Sequence, residues 1–361
     1  MKRLFFTVTT DLNFDQRMQR ICTSLSSAGF EVTLVGREKG KSKALSGQNF
    51  NQHRIKCRFE SGKLFYLEYN WRLYKYLKEQ EMDALCSCDL DTILPGFFLR
   101  KRWKWVYDAH EYFSEMEEVV QRPWIRRIWK AVERLCVPRV DLAYTVSKGY
   151  AELFEKQYPT PFHIIRNIAR LQDLKPELRN PKRILYQGSV NHGRGLEELI
   201  EAMYLVEGEL VICGEGDLYE PLKSLVQSRQ LEQKVTFTGY LRPEELLKVT
   251  QSASIGITLF SKAGLSNEYS LGNRFFDYLQ AGIPQLAMNY PEYQNFNRQH
   301  EVAVLIDDLN PRTIAPSLNQ LLKNESEYQR LESNALEARM HFNWQEEERK
   351  LSELYLDLFK A

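Results

Sequence analysis

The sequence predicts an α/β protein of two domains, each a parallel β-sheet with helices packed on both faces. Short apolar runs alternate with amphipathic helical stretches along almost all of the 361 residues. This alternation is typical of parallel strands joined by helical crossovers. The chain is also long for one hydrophobic core and comfortable for two. A polar stretch at residues 170–181, with two prolines and no periodicity, is typical of a linker between the domains.

The order of these elements sets the expected domain limits. The first half begins with a short apolar strand at residues 4–9 and extends to residue 168. After the linker the alternation of strands and helices restarts, so we expect the second domain to occupy residues 169–341. The remaining segment, residues 342–361, is predicted to be a closing helix.

Composition and charge exclude several classes of function. The formal net charge is +1, which gives no overall attraction to nucleic acid, and we expect no nucleic-acid partner. None of the six cysteines forms a Cys-x-x-Cys pair, which argues against a zinc site or a disulfide framework and for a reducing compartment. No run of 18 apolar residues is present to span a membrane. The sequence therefore predicts a cytoplasmic protein without a zinc site.

The first segment with recognisable chemistry follows the strand that ends near Gly188. A loop containing Gly193 and Arg194 leads into a helix that begins near Gly195. Glycines let the main chain approach a phosphate, and the helix N-terminus offers free N–H groups. Arg194 would add a bidentate contact to a diphosphate. A tight turn with a solvated arginine is an equally good explanation of this segment alone.

A second glycine-bearing loop follows the strand that ends at Cys213. Gly214 and Gly216 suit a turn against which a flat ring lies on the main chain. For this segment taken alone, a plain strand-to-helix turn is the favoured interpretation.

The third segment, residues 270–284, predicts a helix with two charged residues on one face. Ser270 is a suitable N-cap, and Gly282 is expected to end the helix. Arg274 and Asp277 are three residues apart and therefore project from the same side. They would present a cation for a phosphate and a carboxylate for two ribose hydroxyls. A surface ion pair of little energetic value is the alternative, and the flanking pattern favours the functional one.

In this order and near these spacings, the three segments resemble the carboxyl-terminal donor domain of family-4 retaining glycosyltransferases of the GT-B fold. The stretch SLGNRFFDYLQAGIP at 270–284 is similar to that family's S-L-P-N-K-L-F-E-Y-M-x-A-G-I-P. The resemblance covers most of the chain and is strongest at residues 186–288. It implies two Rossmann-like domains with parallel sheets facing across a cleft, and a closing helix at 342–361 that crosses back to the amino-terminal domain.

The resemblance also implies the substrates and the residues of the donor site. It implies a nucleotide-sugar donor, with UDP- or GDP-sugars favoured, a glycan or lipid-linked acceptor of cell-surface polysaccharide or glycolipid synthesis, and neither cofactor nor metal. Arg194 matches the family's phosphate-binding lysine, and Arg274 shares its role. The other residues that the resemblance assigns to donor binding are Gly188, Ser189, Gly193, Gly214, Gly216, Ser270, Asn273 and Asp277.

One histidine stands out in the first domain. His110 follows a predicted strand and lies between Asp108 and Glu111. The residues alone leave open a metal cluster, an acid–base unit and a structural histidine, of which the last is the commonest. The resemblance places a histidine here that reaches the donor sugar. We expect Glu111 either to orient this histidine or to meet the acceptor, and we expect Asp108 on the acceptor side.

The departures from the family pattern keep two other functions open. Ser189 stands where the family has an arginine, Gly272 replaces proline and Asp277 replaces glutamate. The family's Glu-x7-Glu motif is incomplete, since Tyr269 occupies its first position and Glu268 lies one residue away. A nucleotide-sugar epimerase of similar fold and a non-catalytic nucleotide-sugar-binding partner are therefore the alternatives. A nicotinamide-dependent oxidoreductase is disfavoured because no Gly-x-Gly-x-x-Gly follows the first strand.

Two further segments allow a choice between a functional and a structural role. Asp89-Leu90-Asp91 matches the short metal–diphosphate signature of the other major glycosyltransferase fold, but Asp91 also suits a helix cap, which we favour. Residues 121–134 form a basic stretch with two tryptophans. Such a helix is suited to peripheral contact with an anionic membrane. A core-facing aromatic stripe with a solvated basic back is at least as good an explanation.

Overall fold

The computed structural model of the chain describes residues 1–40, 42–174, 179–262 and 264–360. These residues form two compact units, the first made of Met1–Asn167 and Glu347–Ala361 and the second of Ile168–Glu346. The expected limit after residue 168 lies one residue from this division. Residues 175–178 of the predicted linker lie outside the described residues.

The first unit contains seven strands in one parallel sheet. Its order is β3-β2-β1-β4-β5-β6-β7, and every pairing among the described strands is parallel. The strands are β1 Arg3–Thr7, β2 Glu31–Glu38, β3 Asn51–Lys56, β4 Ala84–Cys88, β5 Lys104–Ala109, β6 Leu142–Thr145 and β7 Phe162–Ile164. The helices are α1 Gln16–Ser27, α2 Gly62–Lys78, α3 Ile93–Leu99, α4 Glu117–Val120, α5 Pro123–Cys136 and α6 Lys148–Glu155.

The local sequence explains why the inner strands and the first helix form. All five residues of β4 are buried, as expected for a strand covered by helices on both faces. Helix α1 is capped by Asp15, whose carboxylate accepts the N–H of Met18 at 3.0 Å. Its apolar face, which includes Ile21 and Leu25, is fully buried.

The second unit is a six-stranded parallel sheet in the order β10-β9-β8-β11-β12-β13. Its strands are β8 Arg183–Gln187, β9 Glu209–Cys213, β10 Val235–Gly239, β11 Ile255–Thr258, β12 Gln285–Met288 and β13 Ala303–Ile306. Its helices are α7 Leu196–Ala202, α8 Tyr219–Ser228, α9 Pro243–Ser252, α10 Leu265–Glu268, α11 Asn273–Ala281, α12 Pro291–His300, α13 Pro311–Lys323 and α14 Glu325–Ala338. The chain turns to one side of β8 for β9 and to the other side for β11. In open parallel sheets such a switch point is where ligands bind, beyond the carboxyl ends of the strands.

The last helix, α15 (Trp344–Leu358), contributes to both units. From Glu347 onward its residues belong to the first unit. Tyr355 is fully buried there, with its ring 6.3 Å from that of Phe30 and its hydroxyl 3.4 Å from that of Tyr144. The core of the first unit therefore includes residues that follow the whole of the second unit in the chain.

Candidate functional site

Two predicted phosphate-binding arginines meet at the carboxyl edge of the second sheet. Arg194 lies in the loop after β8, and Arg274 lies in the first turn of α11. Their guanidinium carbons are 5.0 Å and 5.1 Å from the centre of the Phe260 ring, which follows β11. The fold therefore brings together two cations that are 80 residues apart in the sequence.

Arg274 is a buried cation without a carboxylate partner among the described residues. Only 8% of the residue is exposed, and its guanidinium carbon lies 4.3 Å from the centre of the Tyr186 ring. Its Nη1 is buried and has no hydrogen-bond partner in the described part of the chain. Burying a charge is costly unless the charge is paired. An anionic ligand at this position would supply the missing partner.

Gly188 lets this guanidinium approach the main chain. Its φ is +127°, a conformation that side chains rarely adopt. A Cβ at this position would also lie 3.2 Å from Nη2 of Arg274. Gly188 and Ser189 are exposed, and the carbonyl of Ser189 accepts a hydrogen bond from the Tyr186 hydroxyl at 2.6 Å. Gly193 has a φ of +76° in the same loop.

The second glycine loop packs directly on the first. A Cβ on Gly214, whose φ is +140°, would lie 1.8 Å from the carbonyl oxygen of Gly188. A Cβ on Gly216 would lie 2.2 Å from the Asn191 side-chain oxygen. These glycines are therefore required for packing between the loops, which is the plain-turn interpretation. The suggestion that they leave the main chain open for a flat ring is not needed to explain them.

Helix α11 begins later than the sequence predicted. Its N-cap is Gly272, so the prediction of Ser270 as the cap was wrong. The Gly272 N–H is satisfied by the Tyr293 hydroxyl at 3.1 Å, and the Gly272 carbonyl accepts the Phe275 N–H at 2.9 Å. Asn273 is exposed at the first helical position. The predicted end of the helix is confirmed, since Gly282 is left-handed and follows Ala281.

Asp277 is oriented by the end of β8. Its Oδ2 accepts a hydrogen bond from Gln187 Nε2 at 2.9 Å, and Gln187 Oε1 accepts from the Thr250 hydroxyl at 2.7 Å. Asp277 is half-buried, while Arg274 lies against aromatic rings. The two residues are thus not the surface ion pair considered as an alternative.

Sequence reasoning missed the aromatic residues that surround Arg274. Tyr186 and Phe260 lie at or just beyond strand ends, where an aromatic residue has the same pattern as an ordinary core residue. Their positions were the detectable signal. Tyr186 is the second-last residue of β8, and Phe260 lies two residues after the end of β11. The chain that follows each of these strands carries predicted site residues.

In the first unit, His110 lies beside Asp89 at the carboxyl edge of the sheet. The imidazole Nδ1 is 3.6 Å from Asp89 Oδ2, and 33% of the imidazole is exposed. Asp89 Oδ1 accepts the N–H of Glu111 at 2.9 Å. Burial acts to lower the pKa of His110, but the Asp89 and Glu111 carboxylates favour the protonated imidazole, and the pKa is raised.

Asp108 faces the core, unlike its neighbours His110 and Glu111. It is completely buried, and its Oδ1 accepts a hydrogen bond from Arg17 Nη2 at 2.7 Å. Burial raises the pKa of Asp108, against the lowering effect of the Arg17 guanidinium. The pattern of β5 accounts for this placement, because the strand is covered on both faces. In this structure the Asp108 side chain is not available to an acceptor.

Asp91 is not the helix cap that the sequence predicted. It lies inside a short 3₁₀ turn, Leu90–Thr92, and the N-cap of α3 is Thr92. Its carboxylate instead accepts a hydrogen bond from the Thr9 hydroxyl at 2.6 Å. Burial, reinforced by the nearby Asp89 charge, raises the pKa of Asp91 to about 7. Within the described residues, no three or more His, Cys, Asp or Glu side chains form a group that could hold a metal ion.

The raised pKa of Asp91 predicts a pH-dependent effect of Asp91→Asn on stability. In the unfolded chain this pKa is about 3.9. The stability that Asp91 contributes is therefore full below that pH and is lost as the pH rises through 7. Asp91→Asn removes the loss, so its free energy of unfolding relative to the unsubstituted protein should rise between pH 5 and pH 8, by at most about 3 kcal/mol.

Urea unfolding at the two pH values measures this difference. Asp83→Asn is the matched control, because the Lys2 ion pair and the Arg3 N–H lower the pKa of Asp83 despite the opposing effect of burial. Asp83 is ionised at both pH values, so its substitution should have the same effect at each. An Asp91→Asn effect that is equally independent of pH would contradict the prediction.

Two family models match successive parts of the chain. Residues 170–338 match the model described as "Glycosyl transferases group 1", and residues 15–167 match the "Glycosyl transferase 4-like domain". A curated relative, an uncharacterised glycosyltransferase of Methanocaldococcus jannaschii, is 24% identical over 148 residues. That alignment spans 40% of this chain and 36% of the relative's length.

Solved structures are similar over nearly the whole chain. The sucrose-phosphate synthase of Thermosynechococcus elongatus superposes with a TM-score of 0.81 at 17% identity and covers 100% of both chains. WaaG, described as a glycosyltransferase involved in lipopolysaccharide biosynthesis, gives a TM-score of 0.75 at 15% identity, covering 97% of this chain and 99% of WaaG. Anabaena HepE in complex with UDP and glucose gives a TM-score of 0.79 at 13% identity, covering 99% of this chain and 100% of HepE. The predicted GT-B class, with two parallel-sheet α/β domains, is confirmed.

Proposed function

We propose that this chain, which belongs to the group 1 glycosyltransferases, transfers a sugar from a nucleotide-sugar donor to a glycan or lipid-linked acceptor with retention of anomeric configuration. The observation that carries the proposal is the convergence of Arg194 and Arg274 on the Phe260 ring. Within this group of enzymes, such a pair of cations is suited to the diphosphate of the donor.

The environment of the two arginines supports a diphosphate ligand. Arg274 is buried and has no carboxylate partner among the described residues, and Gly188 leaves its guanidinium close to the main chain. The N-terminus of α11, which begins at Asn273, adds main-chain N–H groups and positive potential. Asp277 is held by Gln187 and would accept hydrogen bonds from ribose hydroxyls. We favour UDP- or GDP-sugars, in keeping with the UDP bound by HepE.

The chemistry follows from where negative charge develops. During transfer the bond from the anomeric carbon to the diphosphate oxygen breaks, and that oxygen becomes more negative. Guanidinium groups fixed at this position stabilise the leaving diphosphate. The acceptor hydroxyl then bonds to the anomeric carbon on the same face, and its proton goes to the diphosphate oxygen. In this proposal His110 contacts the donor sugar, and Glu111 lies on the acceptor side.

A donor screen followed by product analysis tests the proposal. The correct nucleotide-sugar should raise the melting temperature in a thermal-shift comparison of UDP-, GDP- and ADP-sugars. With an acceptor present, NMR of the product should show the anomeric configuration of the donor, and chelator should not reduce the rate. Conversion of the donor sugar without acceptor would indicate an epimerase. Donor binding without turnover on any acceptor would indicate a non-catalytic partner, and strict dependence on Mg²⁺ or Mn²⁺ would contradict metal independence.

We also propose that α5 contacts an anionic membrane surface from the cytoplasmic side. Trp124 and Ile128 are 76% and 63% exposed, and the Arg127 guanidinium lies 4.9 Å from the centre of the Trp124 ring. Of the two tryptophans, Trp129 is the one that packs inward, with its ring 4.9 Å from that of Phe113. The core-facing alternative therefore accounts for one of the two tryptophans. Among the described residues, no helix has the length and hydropathy to cross a bilayer.

Substituting both exposed residues, Trp124→Ala with Ile128→Ala, should weaken vesicle binding. Burial of apolar side chains and attraction to anionic headgroups both contribute to such binding, so we expect a loss of roughly tenfold or more. Cosedimentation with vesicles containing phosphatidylglycerol measures it. Leu205→Ala, at a similarly exposed apolar residue of the second unit, is the control and should bind normally. Equal binding of both variants would exclude α5 as the contact.

A further inference from the structure

Asp89 has an unusual backbone conformation at the end of β4. Its φ is +57° and its ψ is 172°, a combination that almost only glycine adopts. The Asp89 N–H donates to the Asp108 carbonyl at 2.8 Å, and Asp89 Oδ1 accepts the Glu111 N–H at 2.9 Å. Conformations of this kind persist where surrounding contacts require them, and they are concentrated at functional sites.

This turn directs the second carboxylate oxygen toward His110. Asp89 Oδ2 lies 3.6 Å from the imidazole Nδ1. The distance is longer than a hydrogen bond, as is common for such contacts in enzymes without bound substrate. His110 makes no hydrogen bond through Nε2 to any residue that the structure describes. One imidazole nitrogen, Nδ1, therefore lies toward Asp89, and the other, Nε2, has no hydrogen-bond partner among the described residues.

The other charged groups near His110 do not replace Asp89. Glu111 is its neighbour in sequence, Asp108 lies at the end of β5, and Arg17 reaches the site from α1. Asp108 and Arg17 form an ion pair at 2.7 Å, which largely cancels their charges. Burial acts to lower the pKa of His110, and the Asp89 carboxylate is the largest influence that raises it.

We propose that Asp89 is a positioning residue whose carboxylate holds the His110 imidazole with Nδ1–H toward Asp89 and Nε2 toward the ligand. The inference rests on the proposed function, in which His110 contacts the donor sugar. In its neutral form His110 then accepts a hydrogen bond from a sugar hydroxyl at Nε2, and in its protonated form it donates one. Each acid of the Asp-x-Asp motif then has a separate role: Asp89 orients His110, and Asp91 accepts a hydrogen bond from the Thr9 hydroxyl.

Asp89→Asn separates this role from a purely structural one. Asparagine has the same shape as aspartate and its side-chain oxygen still accepts the Glu111 N–H, while the negative charge is lost. Nitrogen-15 NMR of the histidines, with His110→Gln used to identify the His110 signals, reports both the tautomer and the pKa. We expect Asp89→Asn to lower the pKa of His110, to remove its preference for Nδ1–H, and to reduce kcat about tenfold. The His110-dependent limb of the pH–activity profile should move to lower pH.

The control is Asp91→Asn, which replaces a nearby carboxyl that contacts Thr9 rather than His110, and it should leave the His110 tautomer unchanged. An unchanged tautomer and titration of His110 in Asp89→Asn would overturn the proposal. So would a changed titration with unaltered kcat and pH profile, because the contact would then be structural only. The NMR measurements need no substrate, so their outcome is independent of whether the chain transfers a sugar. If Asp89→Asn fails to fold, the same measurements are made on Asp89→Gly, because glycine adopts a positive φ without strain.

Discussion

Replacing Arg274 by methionine should abolish most turnover without lowering the free energy of unfolding. The guanidinium stabilises a diphosphate only when the donor is bound and reacting, so its removal is expected to reduce kcat/KM by about 10²- to 10³-fold. In the empty protein the same group is a buried charge without a carboxylate partner among the described residues. Methionine has a similar length and packs against the Tyr186 ring without the cost of burying a charge.

Three measurements define this prediction. Steady-state rates give the loss of activity, urea unfolding gives the stability, and the nucleotide-induced rise in melting temperature should be much smaller in Arg274→Met. Arg183→Met is the matched control. Arg183 is the first residue of β8, at the end of the strand opposite to the arginine pair, and its guanidinium donates to the Ser252 hydroxyl at 2.7 Å. Arg274→Lys keeps the charge at the position where the resembled family has a lysine, and it should retain most of the activity. An inactive Arg274→Lys, or an Arg274→Met that is active or merely unfolded, contradicts the proposed role.

Replacing Gly214 by alanine should destabilise the second unit by at least about 4 kcal/mol. Two effects add: the positive φ of +140° is restricted almost entirely to glycine, and the new Cβ would lie 1.8 Å from the Gly188 carbonyl oxygen. Main-chain atoms cannot move away as a flexible side chain does. The loop that carries Gly188 must therefore shift, and donor affinity should fall together with stability.

Gly239→Ala separates the two effects. Gly239 has a φ of +69° and belongs to the same unit, but a Cβ there would meet no atom closer than 3.6 Å. Only the conformational cost of roughly 1–2 kcal/mol is expected for this variant. Denaturant unfolding of both proteins compares them. Equal losses of stability in the two variants would show that the contact between the loops at Gly214 and Gly188 is unimportant.

Local sequence patterns were sufficient to predict the architecture and part of the site. The period of the apolar residues distinguishes strands from helices, and Gly282 ends α11 because a left-handed residue there suits glycine. The two arginines were identified because glycine loops and helix starts are local features. Their convergence on Phe260 was not predictable from the residues alone, since it depends on which strands are neighbours.

The errors all came from contacts between residues distant in sequence. Gly272, not Ser270, is the N-cap of α11, and its N–H is bound by the Tyr293 hydroxyl from α12. Asp91 is drawn from a capping position by the Thr9 hydroxyl, 82 residues earlier. Asp108 is part of an acidic cluster in the sequence, but it lies on a strand that is covered on both faces, and its carboxylate pairs with the buried Arg17. Each of these partners, Tyr293, Thr9 and Arg17, lies in a distant part of the sequence, so no local pattern predicts the contact.

The division of α15 between the units sets an order of assembly during synthesis. A ribosome makes Met1–Asn167 first, yet Tyr355, which fills space beside Phe30 and Tyr144, emerges only after all of Ile168–Glu346 has been made. Domains generally fold as they leave the ribosome, amino-terminal part first. Here the first unit cannot complete its core until the whole of the second unit has been synthesised.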